Sequence, residues 1–147
     1  MPVSNEQMFA TFYVGETYFG VNALNVQEVL RSQPMTPVPL APPEVTGLIN
    51  LRGQIVTALD MRRRLHMPPR EDGKPPTNVV VYTDDGPVSL LVDEIADVVV
   101  LDEDHLEDLP ETVDHIRREL IVGVHKMESS LLLVLDLDKT VQPTLVG

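Results

Sequence analysis

The chain has no cysteine and no tryptophan. Without cysteine there can be no disulfide, no thiolate metal site and no cysteine nucleophile. Positive charge is also scarce: 11 Lys and Arg stand against 23 Asp and Glu, a net charge of −12. Such a surface repels the phosphate backbone and anionic lipid, so general nucleic-acid binding and membrane-surface binding are not expected. No apolar run approaches the ~20 residues that span a bilayer. Residues 1–7 are polar and lack a basic stretch followed by an apolar one. No signal peptide is therefore expected, and the cytoplasm is the expected compartment. The eight glycines are scattered, which leaves no loop to cradle a phosphate.

What remains is an ordinary globular composition, 147 residues with 43% hydrophobic and 23% charged. That length suits one domain with one sizeable core. The charge is unevenly placed. Residues 1–76 are neutral, with Glu6, Glu16, Glu28, Glu44, Asp60, Glu71 and Asp72 balanced by Arg31, Arg52, Arg62, Arg63, Arg64, Arg70 and Lys74. Residues 77–147 hold the other 16 acids and only four bases, Arg117, Arg118, Lys126 and Lys139.

Strand formers dominate the chain. Residues 8–14 and 17–21 read as a hairpin turning at Gly15-Glu16. Asn22 can cap a short helix over Ala23 to Leu30. Five prolines in 34–43 predict an extended surface connection. Residues 47–60 read as two strands turning at Arg52-Gly53, followed by a helical turn from Asp60 to Leu65. The Pro/Gly-rich stretch 67–76 falls where the charge balance changes, so it is the expected boundary between lobes. Strands are expected at about 78–83 and 87–92, joined at Asp84-Asp85-Gly86, and Ile95 to Leu101 is a further apolar stretch. An acidic loop over 102–111, a short helix over 113–118 and strands at 120–124 and 131–135 complete the reading. A last helical turn begins at Asp136, and residues 142–147 are expected to be a loose tail.

The two halves resemble each other. Gly47 precedes Asp60 by 13 residues, and Gly123 precedes Asp136 by the same 13. Ile55 to Met61 aligns without gaps on Leu131 to Leu137. Val26 to Val29 has a counterpart in Ile95 to Val98, and Tyr13 and Tyr82 each sit just before a hairpin turn. The pattern points to two copies of a small barrel-like unit.

Catalytic apparatus is hard to find. None of the serines lies in a Gly-x-Ser-x-Gly elbow. His66, His105, His115 and His125 lack the spacing of a helical metal pair. The run Asp102, Glu103, Asp104, Glu107, Asp108 lacks the mid-loop glycine and closing glutamate of an EF-hand. Asp93, Glu94 and Asp97 could serve as acids in a small enzyme, although such carboxylates more often end a strand at a turn. No catalytic residue, metal or cofactor is therefore expected. Asn50-Leu51-Arg52-Gly53 is the informative segment, because a turn that needs Gly53 does not need an arginine before it. Arginine carries five donors in a rigid fork and suits docking to carboxylates or carbonyls of a partner.

Gly47-x-x-Asn50-Leu51-Arg52-Gly53-x-Ile55-Val56-x-x-x-Asp60 closely resembles the signature of the CheW family, the coupling proteins of bacterial chemotaxis. Val26-Gln27-Glu28-Val29, Val92-Asp93-x-Ile95-x-Asp97-Val98, Leu120-x-x-Gly123-Val124 and Leu131 to Asp136 match further family motifs in order. The resemblance covers about residues 8–141 as a single domain. It implies a mainly β fold of two intertwined five-stranded SH3-like β-barrels with short helices. Lobe one would span about 15–76 and lobe two about 77–141, with strand 8–14 packed across. One departure is Thr57, where the family usually has proline, and a locally relaxed edge strand is expected there.

The resemblance also implies a role. Such proteins bridge the cytoplasmic tip of a chemoreceptor and the regulatory domain of the histidine kinase CheA, and perform no chemistry. They are cytoplasmic and are recruited to membrane-associated receptor arrays without inserting into the membrane. By position, Gly47, Asn50, Arg52 and Gly53 would lie at the receptor- and kinase-coupling surface, and Val26 and Glu28 at the surface that meets CheA. An apolar groove between the barrels would take the receptor hairpin. The motif just before the end of the sequence suggests a stand-alone coupler. A close variant is an adaptor of a chemosensory pathway with a non-flagellar output such as surface motility.

Overall fold

The computed structural model describes residues 6–69, 73–84, 86–113 and 116–145. Among these residues ten strands follow in chain order: β1 (Glu6–Val14), β2 (Thr17–Asn22), β3 (Val26–Leu30), β4 (Val45–Leu51), β5 (Gln54–Asp60), β6 (Thr77–Thr83), β7 (Gly86–Val92), β8 (Glu94–Asp102), β9 (Ile121–Lys126) and β10 (Leu131–Leu135). Two short α-helices, α1 (Met61–Arg64) and α2 (Leu137–Leu145), each follow a strand that ends the second arm of a hairpin. The strands form two five-stranded sheets, in the orders β8-β1-β2-β10-β9 and β3-β6-β7-β5-β4. The expected mainly β fold of two intertwined five-stranded units with short helices is present, each unit being one five-stranded sheet.

Sheet membership does not divide the chain at 67–76. The β6–β7 hairpin pairs with β3 and β5, while β1 and β2 pair with β8 and β10. So not only strand 8–14 but the whole first hairpin crosses over, and the β6–β7 hairpin crosses the other way. Side-chain alternation explains why local composition could not show this. Each hairpin carries one apolar face that a strand from either half can continue.

The internal repeat is present in three dimensions. Gly47 faces Ala58 in the β4–β5 ladder, and Gly123 faces Val134 in the β9–β10 ladder. Both glycines sit beneath an incoming backbone: Thr36 forms an isolated bridge with Leu48, and Glu107 with Val124. The parallel pairs β5–β7 and β10–β2 also correspond. Asp60 and Asp136 cap the two α-helices, accepting from the amides of Arg62 at 3.0 Å and Lys139 at 3.1 Å. The proline-rich connection runs along β4, an outermost strand, and shields part of its edge through the Thr36 bridge.

The largest apolar cluster joins the two sheets, with Phe12, Val14, Phe19 and Leu133 from one and Leu59, Val79, Val81 and Leu90 from the other. Leu65, Leu137 and Val141 extend it under the helices. Smaller clusters lie behind each sheet, one around Ile49, Val56 and Val80 and one around Phe9, Leu132 and Val134. Neither sheet could bury this much apolar surface alone, so the two form one folding unit.

Several local expectations change. Asn22 does cap, accepting from the Leu24 amide at 2.9 Å, but the helix is only one 3-10 turn, Ala23–Asn25. Val26–Leu30 is a strand because it pairs with β6, and its β-branched Val26 and Val29 suit that pleat. Thr57 is not on an edge. It faces Leu48 on one side and Val88 on the other, an interior position where proline would delete a ladder donor. The helix expected over 113–118 is a 3-10 turn at Arg118–Leu120, and Asp114 and His115 lie outside the described residues.

The expected loose tail is helical to Leu145, while residues 146–147 lie outside the described part. Buried Arg64 explains the helix. Its Nε donates to the Thr140 carbonyl at 2.7 Å and its Nη2 to the Lys139 carbonyl at 2.8 Å. Pro143 has no amide hydrogen to offer Lys139, so the arginine satisfies a carbonyl that the helix itself leaves open. Burial, with the charge of Arg117 nearby, lowers the Arg64 pKa from its ordinary value.

Candidate interaction surface

The β4–β5 turn is built from Arg52 and Gly53, both with positive φ (53° and 85°). Two consecutive left-handed residues are the geometry of a type I′ hairpin turn, whose twist matches that of the flanking strands. Asn50 completes it by accepting from the Gly53 amide at 2.9 Å. Glycine adopts this conformation freely; arginine does so at a cost of roughly 1–2 kcal/mol. The turn holds an exposed arginine where a freer residue would fit better.

Arg52 does not stand alone. Its Nη1 donates to Glu28 Oε2 at 2.8 Å, and the side chains are 73% and 19% exposed. Glu28 lies on β3, at the opposite end of the same sheet order from β4. The sheet therefore curls until its two outermost members meet. The hydrogen bond and charge of Glu28 raise the Arg52 pKa from its ordinary value. The other Glu28 oxygen, Oε1, is buried and has no hydrogen-bond partner among the described residues.

Two groups that look separate in sequence, Glu28 and the Asn50–Gly53 turn, are thus one polar patch. Val26 is partly buried and packs against the main core, so it supports the patch from below. Gly47 is buried too. A Cβ there would lie 2.7 Å from the Thr36 carbonyl oxygen, so this glycine permits a close backbone approach and is not itself an exposed contact.

Sequence reasoning missed an apolar strip on the β1–β8 edge. Met8 pairs with Val100 and Ala10 with Val98, and Met8, Val98 and Val100 are all more than half exposed. The run of three valines at 98–100 hides which of them face outward; only the register shows it. An exposed edge strand with an apolar face is a ready site for a partner.

Asp93 has another use than catalysis. Its carboxylate receives Arg62 Nε at 3.0 and 3.2 Å and Nη2 at 2.7 Å, and it also accepts from the Gly15 amide. This partly buried pair ties the β1–β2 turn to the link between β7 and β8 and to α1. Glu94 and Asp97 are exposed. Among the described residues no three His, Asp or Glu side chains come together in a metal-holding group. No helix among them is long and apolar enough to cross a membrane.

The chain is thus a two-sheet β protein with an exposed, charged turn and with Asp93 committed to an internal ion pair. The profile of the CheW-like domain matches residues 8–144, and the chain belongs to that family. It is 31% identical over 144 residues to "Chemotaxis protein CheW" of Treponema pallidum, covering 95% of this chain and 85% of that one. It is 32% identical over 127 residues to the protein of that name from Rhizobium meliloti, covering 86% and 82%. A stretch of 60 residues is 42% identical to "Protein FrzA" of Myxococcus xanthus, covering 41% and 38%. The crystal structure of the scaffolding protein TtCheW from Thermoanaerobacter tengcongensis superposes with a TM-score of 0.80 at 26% identity, covering 93% of this chain and 87% of that one.

Proposed function

We propose that this protein is a coupling adaptor that bridges the cytoplasmic tip of a chemoreceptor and the regulatory domain of the histidine kinase CheA. It works in the cytoplasm at membrane-associated receptor arrays, without inserting into the membrane and without chemistry of its own. The observation that carries this reading is the Arg52–Glu28 patch, an exposed guanidinium held on a β-turn inside the Gly47–Asp60 segment that resembles the family signature. Of its five donors, Glu28 occupies one, which leaves others for acceptors on a partner. The Met8, Val98 and Val100 strip supports an apolar contact with the receptor hairpin. A coupler shifts the kinase only if its affinity differs between receptor states.

Titration against the matching CheA regulatory domain, with and without receptor tips, tests this. Binding of ~micromolar affinity, strengthened in the ternary assembly, is expected. Absence of binding to both partners would overturn the proposal. The likeness to a protein named FrzA rather than CheW supports a second reading, an adaptor for a chemosensory pathway with a non-flagellar output such as surface motility. Pull-down against each candidate kinase of the host separates the two.

A further inference from the structure

The internal repeat places two equivalent clefts on the molecule. The first, about 410 Å³, is lined by Tyr13, Gly15, Glu16, Arg62, Lys74, Asp93 and Glu94. The second, about 550 Å³, has Asn25, Tyr82, Asp84, Val122, Asp136 and Asp138 among its lining residues. Tyr13 and Tyr82 occupy the same place before a two-residue turn, since Val14 pairs with Thr17 and Thr83 with Gly86. Asp60 and Asp136 are the equivalent helix caps, so Arg62 in the first cleft corresponds to Asp138 in the second.

That exchange leaves the second cleft the more acidic: two bases and three acids line the first, three acids and no base the second. In the first cleft Arg62 reaches across and is neutralised by Asp93. In the second there is no basic lining residue, and three carboxylates remain. Asp136 is engaged by the Lys139 amide. Asp84 and Asp138 are exposed, and no basic side chain pairs with either among the described residues. Beside them stand Tyr82 and Val122, 52% and 59% exposed. An aromatic face next to carboxylates favours a guanidinium over a simple ammonium, because the flat cation can stack and form hydrogen bonds together.

We infer that this second cleft binds an arginine of a partner protein, presented on a segment with apolar flanks. The partner's arginine brings the positive charge that Arg62 supplies in the first cleft and that the second lacks, and the flanking residues cover Val122. The surface is distinct from the Arg52–Glu28 patch and does not depend on the coupling role.

The test is an amide chemical-shift titration of the full chain with acetyl-Leu-Arg-Leu-amide. The control peptide carries glutamine in place of arginine. Saturating shifts are expected at Tyr82 to Asp84, Val122 and Leu137 to Asp138. Binding should weaken roughly tenfold with the glutamine peptide and in the Asp84→Asn, Asp138→Asn double variant. Glu128→Gln, which removes a charge elsewhere in the acidic half, should leave it unchanged. The inference is overturned if no shifts arise at the cleft, if they spread evenly over the acidic surface, or if the glutamine peptide matches the arginine one. It is equally overturned if magnesium alone gives the same saturating shifts, which would mark a cation site. Binding of the CheA regulatory domain by the double variant is read separately and reports on the coupling proposal alone.

Discussion

Arg52 and Glu28, 24 residues apart, meet at 2.8 Å and join the two outermost strands of one sheet. The contact fixes the direction of a guanidinium that the turn already holds in a left-handed conformation. Exposed ion pairs contribute little to stability, so its significance lies in orientation.

Replacing Arg52 should therefore separate function from folding. Arg52→Asn relieves the positive-φ strain, because asparagine visits that region readily, and the thermal midpoint should stay equal or rise. Arg52→Glu should also leave the fold intact, with a midpoint within a few degrees of the parent. Both should lose receptor-stimulated CheA activity in a reconstituted array. A variant that folds and still supports normal stimulation would remove Arg52 from the coupling surface.

The two equivalent glycines should differ in their tolerance of a methyl group. A Cβ at position 47 would come within 2.7 Å of a backbone carbonyl, and one at position 123 within 3.0 Å. Gly47→Ala should destabilise by about 1–3 kcal/mol, and Gly123→Ala by less. Urea unfolding of the two variants checks both the magnitude and the order. An equal or reversed ranking would contradict the geometry.

Asp93 should behave as a structural residue. Asp93→Asn removes the charge opposite a partly buried arginine that makes several hydrogen bonds to it, and a loss of about 1–3 kcal/mol is expected. Arg62→Met should be less harmful than Arg62→Ala, since its stem keeps the packing. Chemical denaturation of the three variants measures this. No change in Asp93→Asn would show that the pair holds nothing together.

The C-terminal helix should depend on Arg64. In Arg64→Gln the Lys139 and Thr140 carbonyls lose the two hydrogen bonds that reach them from α1. Amide exchange over 137–145 should then quicken by about tenfold or more, with little change in the sheets. Uniform acceleration throughout the chain would mean that the helix opens only with the whole fold.

Much of this was legible in the residues themselves. The β1–β2 and β4–β5 hairpins, the caps at Asn22, Asp60 and Asp136, and the 13-residue spacing of Gly47–Asp60 and Gly123–Asp136 all rest on short-range chemistry. A turn residue or a capping oxygen acts within a few positions, so its consequences can be read along the chain. Val26–Leu30 shows where that ends. After a correctly read cap, the choice between helix and strand was settled by β6, about 50 residues away.

The sequence by itself determined that the chain is a cysteine-free, acidic, mainly β protein with an internal repeat and an arginine turn. Tertiary structure alone decided which hairpin joins which sheet, that Glu28 reaches Arg52, that Gly47 is buried, and that Asp93 is held by Arg62. It also decided what the uneven charge means. The acidic half carries a cleft where Asp138 stands in the place of Arg62, and that cleft has no internal counter-charge among its lining residues. The reason is common to all five. Pairing, burial and charge balance depend on neighbours brought from the other half of the chain, and no local pattern specifies which of two similar partners will come.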